Sequence, residues 1–158
     1  MTKDKIRDFT LRVTNANKSE MIVILYDIAL TYVADAGKAL ESGEKERFRA
    51  EVGHIKSVIR ELMDSVNTAT ETGMNLLRLY IFCNGELTRA FIEPDMGPVY
   101  HVSSVITKLR EAWEAVSMQD ESGPVMTNAE KVYSGFTYGR NSMSKDISNA
   151  DSSRGYLA

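Results

Sequence analysis

The stretch Asn17-Lys18-Ser19-Glu20-Met21-Ile22-Val23-Ile24-Leu25-Tyr26-Asp27-Ile28-Ala29-Leu30-Thr31-Tyr32-Val33 carries the clearest structural signal in the chain. Met21, Ile24, Leu25, Ile28 and Tyr32 recur at the three- and four-residue spacing of one helical face. Asn17 and Glu20 stand at the spacing of a capping box, in which each side chain satisfies a backbone amide that the first turn leaves free. The spacing predicts a helix running to about Ser42, where Gly43 supplies a stop.

Further along the chain, Phe48, Val52, Ile55, Ile59, Leu62 and Val66 form a second stripe, with Glu46, Arg49, Lys56, Arg60 and Asp64 on the opposite face. Asn67 and Thr68 end it, and Thr68 with Glu71 repeats the capping-box spacing. Leu77, Tyr80, Ile81, Leu87 and Phe91 give a third stripe. Glu93-Pro94-Asp95 and Gly97-Pro98 break the pattern, and Pro98 suits the first turn of a fourth helix carrying Val102, Ile106, Leu109, Trp113 and Val116. The first 93 residues contain no proline, so nothing interrupts the first three helices. Helices of ~20 to 25 residues, about 30 to 38 Å long, joined by short connections, predict an all-α, antiparallel up-down four-helix bundle. Residues 1–118 form that domain, with residues 1–16 as an N-terminal arm of mixed pattern containing Ile6, Phe9, Leu11 and Val13. Residues 119–158 form a mostly irregular C-terminal tail rich in serine and glycine. Within it, Tyr133, Phe136 and Tyr138 are interleaved with Gly135 and Gly139, which suggests a segment that docks on the bundle or on a partner.

Composition excludes several classes. The chain has 158 residues, one domain's worth, and a net charge of −3, which argues against nucleic-acid binding through bulk positive charge. No apolar run approaches the ~20 residues of a membrane span, so no membrane insertion is expected. The charged N-terminus, Met1 to Asp8, has no signal-peptide core, which makes a cytoplasmic protein the simplest reading. Cys83 is the single cysteine, without a companion for a disulfide; among apolar neighbours it reads as a core filler. Glu51 and His54 have the Glu-x-x-His spacing of di-iron bundles, but the second copy is missing at the only other histidine, His101. Ser142 and Lys145 match Ser-x-x-Lys without companion motifs, and no phosphate-binding glycine loop occurs. No enzyme, metal or cofactor is expected.

The positive signal is surplus hydrophobicity. Beside the first stripe run Ile22, Tyr26, Ala29 and Val33; beside the third run Leu76, Leu79 and Cys83. Such width fits a deeper packing position, a dimer surface or a groove for another helix. From the residues alone, a helical binding module, an adaptor and a self-associating bundle all remain open.

A resemblance narrows this. The Leu25-Tyr26-Asp27 segment, Ile59 to Asn67, Asn75-Leu76-Leu77-Arg78-Leu79-Tyr80 and Leu109-Arg110-Glu111-Ala112-Trp113 resemble, in order and spacing, the helices of the flagellar secretion chaperone FliS family. Phe9 is the nearest candidate for an aromatic position of that family's N-terminal arm, and the 119–158 tail is an addition to many members. The resemblance implies a chaperone that binds the disordered C-terminal segment of flagellin, prevents premature polymerisation and hands its client to the flagellar export apparatus. It implies a monomer when free, or a weak homodimer. Within it, Phe9, Ile22, Tyr26, Asp27, Ala29, Val33, Leu76 and Leu79 are the expected partner-binding residues, with Trp113 assigned to the core.

Overall fold

The computed structural model describes residues 1–126, of which Met1–Val125 form a compact unit; residues 127–158, with the Tyr133–Tyr138 stretch and the Ser142/Lys145 pair, lie outside the described residues. Five helices succeed one another: α1 Lys3–Asn15, α2 Lys18–Glu41, α3 Lys45–Ser65, α4 Glu71–Ile92 and α5 Met96–Ser117. No strand occurs among the described residues. Helix α2 packs against α3 and α5, and α4 packs against the same two, so four helices close a ring around one core. Helix α1 lies outside the ring and touches α2.

Four of the five helices start at a side-chain cap, α3 being the exception. Asn17 accepts from the Glu20 amide and the Glu20 side chain accepts from the Asn17 amide, the expected capping box. Gly43 leaves α2 with a φ of +73°, a left-handed conformation that side-chain-bearing residues avoid. Helix α4 is capped by Thr70, which accepts from the Gly73 amide, rather than by Thr68. The Asn67 side chain is engaged one step earlier, accepting from the Ala69 amide. The chain therefore turns more tightly than the Thr68–Glu71 spacing suggests. Asp95 caps α5 and Pro98 sits in its first turn, where a missing amide costs nothing.

Two readings of the sequence change here. Within the arm of mixed pattern, residues 3–15 are a helix: Thr2 caps it, and Ile6, Phe9 and Val13 share a face. The inward face of α2 is also the one read as supplementary. Ile22, Tyr26, Ala29, Val33 and Ala36 are buried; of the stripe read first, Ile24 is buried too, whereas Met21, Leu25, Ile28 and Tyr32 are half-buried at the flanks. Fully buried Ala29, Ala36 and Ala39 let α2 approach its neighbours closely, so the row with smaller side chains wins the centre. On α3 the predicted stripe is fully buried from Phe48 through Val52, Ile55 and Ile59 to Leu62, and its last member, Val66, is half-buried just past the helix end. On α4 the core is Tyr80, Cys83, Leu87 and Ala90, while Ile81 and Phe91 face out.

Polar clasps tie the ring at its seams. Lys56 donates to the Thr88 hydroxyl between α3 and α4, and Arg49 donates to the Phe91 carbonyl at the same seam. Glu86 joins α4 to α5 through His101 at 2.6 Å. Asp27 ties α2 to α5 through Arg110, and to α1 through Arg12.

Candidate functional site

Three apolar features of the described residues remain accessible. The first is a pocket of about 480 Å³ where the start of α2, the end of α3, the start of α4 and the end of α5 meet. Met21, Ile22, Leu25, Val66, Leu76 and Trp113 form its apolar wall, with Val125 at the rim. The second, about 400 Å³, lies between α1 and α2, where Ile6, Phe9 and Val13 face Ile28 and Tyr32. The third is the outer face of α4, where Ile81, Phe82 and Ile92 are 54%, 49% and 72% exposed. Met74 and Gly85 lie on the same face by helical spacing.

The expected partner-binding residues divide among these features and the core. Phe9 belongs to the pocket beneath α1 and lies under the Arg12 guanidinium, 5.5 Å from ring to charge. Ile22 and Leu76 line the end pocket. Leu79 is exposed on the α5 side of the outer α4 face. Tyr26, Ala29 and Val33 are buried in the core. The Tyr26 hydroxyl meets that of Tyr80 at 2.5 Å, so both oxygens are satisfied inside the core. Burial, then that shared bond, pushes the Tyr26 phenol far above its ordinary range; burial likewise raises Tyr80.

Asp27 is fully engaged within the chain. One carboxylate oxygen accepts from Arg12 at 2.6 Å and the other from Arg110 at 2.5 Å. The bond to Asp27 is the leading cause of the raised Arg110 pKa. The carboxylate is thus one of two ionic ties that fasten the α1 segment to α2, the other being the Met1 amino group on Asp35 at 2.8 Å.

Titratable groups elsewhere pair off rather than cluster. Glu51 faces His54 at 3.4 Å, and His54 stacks on Tyr32 with ring centres 4.7 Å apart. His101, then Arg89, holds the Glu86 carboxyl below its usual range. Among the described residues, no group of three or more His, Cys, Asp or Glu side chains is placed to hold a metal ion. Cys83 is buried in the core, and that burial pushes its thiol up to about 11, so little of it is thiolate at neutral pH.

Sequence reasoning misses most of the end pocket, because its lining residues come from four helices far apart in the chain. It places Trp113 in the core; the half-buried indole packs against the core and also lines the pocket. The outer α4 face does leave a signal. From Leu76 to Phe82 every residue except Arg78 is apolar, more than one buried stripe can absorb.

A family model described as "Flagellar protein FliS" matches residues 5–120, which takes in almost all of the helical unit. The curated "Flagellar secretion chaperone FliS" of Bacillus subtilis (strain 168) is 26% identical over 102 residues, covering 65% of this chain and 77% of the relative.

Proposed function

Because the chain belongs to the FliS family of flagellar proteins, we propose that it is a cytoplasmic export chaperone for flagellin. It binds the C-terminal helical segment of flagellin before export, blocks premature polymerisation and delivers its client to the flagellar type III export apparatus. The observation that carries this reading is the family match, which runs through all five helices rather than one motif. On the same reading the ring of α2 to α5 is an antiparallel four-helix bundle, a topology favoured by the short connections at 42–44, 66–70 and 93–95.

The surfaces suit a client that folds as it binds. Ordering a disordered segment costs roughly 2 to 5 kcal/mol. Covering the exposed fractions of Ile81, Phe82 and Ile92 recovers together about 3 to 5 kcal/mol. That face alone therefore only offsets the ordering cost. A stable complex needs a client long enough to reach a second surface, either the end pocket with Ile22 and Leu76 or the α1–α2 pocket with Phe9. An extended, wrapping interface needs no catalytic residue, in keeping with a chaperone rather than an enzyme. No described helix is long and apolar enough to cross a membrane.

The test is stoichiometric binding, measured by size exclusion with light scattering, of full-length flagellin and of flagellin lacking its C-terminal helical segment. A one-to-one complex that disappears with the deletion is expected. Equal binding of both forms defeats the reading and favours a helical adaptor with another client.

A further inference from the structure

We infer that the outer face of α4 is a self-association surface, on which a second copy of this chain packs its own α4 antiparallel about a two-fold axis at Gly85. Helix α4 packs on α3 and α5, which leaves the side carrying Met74, Ile81, Phe82 and Ile92 without a partner among the described helices. Those four residues are 37%, 54%, 49% and 72% exposed. Gly85 lies within the patch, one turn after Ile81 and two before Ile92. Glycine is among the poorest residues for a helix interior. A Cβ placed on Gly85 meets nothing within 4 Å, so packing inside the chain does not require glycine there. A bare backbone does serve a helix from outside, because the side chains at the point of contact set how closely two helix axes approach.

Charge selects a second copy as that helix. Arg78 stands seven residues before Gly85 (85 minus 78) and Glu93 eight after it (93 minus 85). Along the axis these separations are about 10 and 12 Å. Both side chains are exposed; Arg78 donates to the neutral Asn75 side chain at 3.2 Å, and neither forms an ion pair among the described residues. Arg89, on the same face, is already paired with Glu86. When two α4 helices cross antiparallel at Gly85, Arg78 of each copy comes opposite Glu93 of the other. A parallel crossing sets like charges together instead. The patch is thus complementary to itself, which is the requirement of a two-fold interface. At roughly 200 Å² for a large side chain, the exposed fractions of the four apolar residues amount to about 400 Å² per copy. With the polar rim, two copies bury on the order of 1,200 Å², the lower end for a specific interface. The dimer is therefore weak and depends on concentration. It covers a face that the proposed client also uses, but nothing in it rests on the identity of that client.

Sedimentation equilibrium of the full chain from about 1 to 500 μM spans the dissociation constants of weak dimers. A monomer–dimer equilibrium is expected within that range. Ile81→Asp should abolish it with far-UV circular dichroism unchanged. Arg78→Glu and Glu93→Arg should each weaken association by about tenfold, because two symmetric attractions become two repulsions. The double variant Arg78→Glu/Glu93→Arg exchanges the charges and should recover the association of the parent. A chain that stays monomeric at the highest concentration overturns the inference. Undiminished association of Ile81→Asp does so too, since the contact then lies elsewhere. Single reversals without recovery in the double variant refute the two-fold pairing. The charge variants alter exposed side chains only, so they decide the matter should Ile81→Asp fail to fold.

Discussion

Replacing Tyr26 with phenylalanine deletes one oxygen from the centre of the core and leaves the ring in place. That oxygen is the hydrogen-bond partner of the Tyr80 hydroxyl, 2.5 Å away and equally buried. Its removal leaves the buried Tyr80 hydroxyl without its partner, a cost of about 1 to 3 kcal/mol. The ring volume is conserved, so no cavity cost is added. Tyr80→Phe should cost about the same, again roughly 1 to 3 kcal/mol. The double variant removes both oxygens, and with them the unpaired group, so its cost falls well below the sum. Equilibrium unfolding of the four proteins closes a double-mutant cycle with a coupling energy on the order of 1 to 2 kcal/mol. In thermal scans each kcal/mol corresponds to roughly 2 to 8 °C. Neutral single variants, or strictly additive ones, would show that the two hydroxyls do not depend on each other, and the buried-pair argument would fail. The pair also sets an alkaline limit. A folded phenol pKa above the unfolded value of 10.0 means that the folded state holds its proton more tightly. Its contribution is complete below about pH 10 and is lost as the pH rises further. The same variant settles the role of Tyr26. A core residue changes stability and leaves flagellin affinity unaltered, whereas a client contact changes affinity.

Other residues make equally sharp predictions. Asp27→Ala breaks the bonds to Arg12 and Arg110; because all three side chains are partly solvated, the loss should be about 1 kcal/mol. Amide exchange across Lys3–Asn15 should accelerate, and unchanged exchange there would disprove the role of this tie. Gly73→Ala places a methyl carbon 1.8 Å from the Asn67 carbonyl oxygen, which forces the backbone apart and should cost about 1 to 3 kcal/mol. Gly85→Ala meets nothing within 4 Å and should instead stabilise α4 by up to about 1 kcal/mol; equal effects of the two substitutions on melting temperature would refute this contrast. Bonds from Ser122, then Ser19, hold the Asp120 carboxyl at about 2, below its ordinary 3.8. Its folded pKa is the lower one, so the link from Asp120 to Ser19, beyond which the Val125 amide donates to the Ala16 carbonyl, is fully stabilised above pH 3.8 and loosens as the pH falls through about 2. Asp120→Asn should lose that acid dependence, as read from the exchange of the Val125 amide.

How far the sequence reveals the fold depends on whether local chemistry or packing distance makes the decision. Caps and breaks are local. Asn17 with Glu20, Gly43 and Pro98 act where the sequence places them, because each satisfies or removes a backbone group within one turn. Helix α3 is legible for a related reason: its single apolar stripe faces a charged one, so only one orientation buries the apolar side chains. Helix α1 is hard to read because its apolar residues are few and none is buried, although Ile6, Phe9 and Val13 keep helical spacing.

Helix α2 shows why the site is harder to read than the fold. It carries two adjacent apolar rows, and ranking them by bulk selects Met21, Ile24, Leu25, Ile28 and Tyr32 for the centre, of which only Ile24 is buried. Packing selects the other row, because Ala29 and Ala36 set how near α3 and α5 can come, and close approach gains contacts along the whole helix. This choice has a functional consequence. With the small-residue row inward, Tyr26 is free to meet Tyr80 in the core. The bulkier residues move to the seams, where Met21 and Leu25 wall the end pocket and Ile28 and Tyr32 receive α1. The surfaces available to a partner are therefore the flanks of the stripe that bulk alone assigns to the core. A substitution that reverses the phase tests this logic. Ala29→Leu enlarges the fully buried position and should cost about 1 to 3 kcal/mol by overpacking, whereas Ile28→Ala removes a half-buried side chain beneath α1. If Ile28→Ala proves the more destabilising in urea unfolding, the bulky row is the core after all, and the assignment of both pockets falls with it.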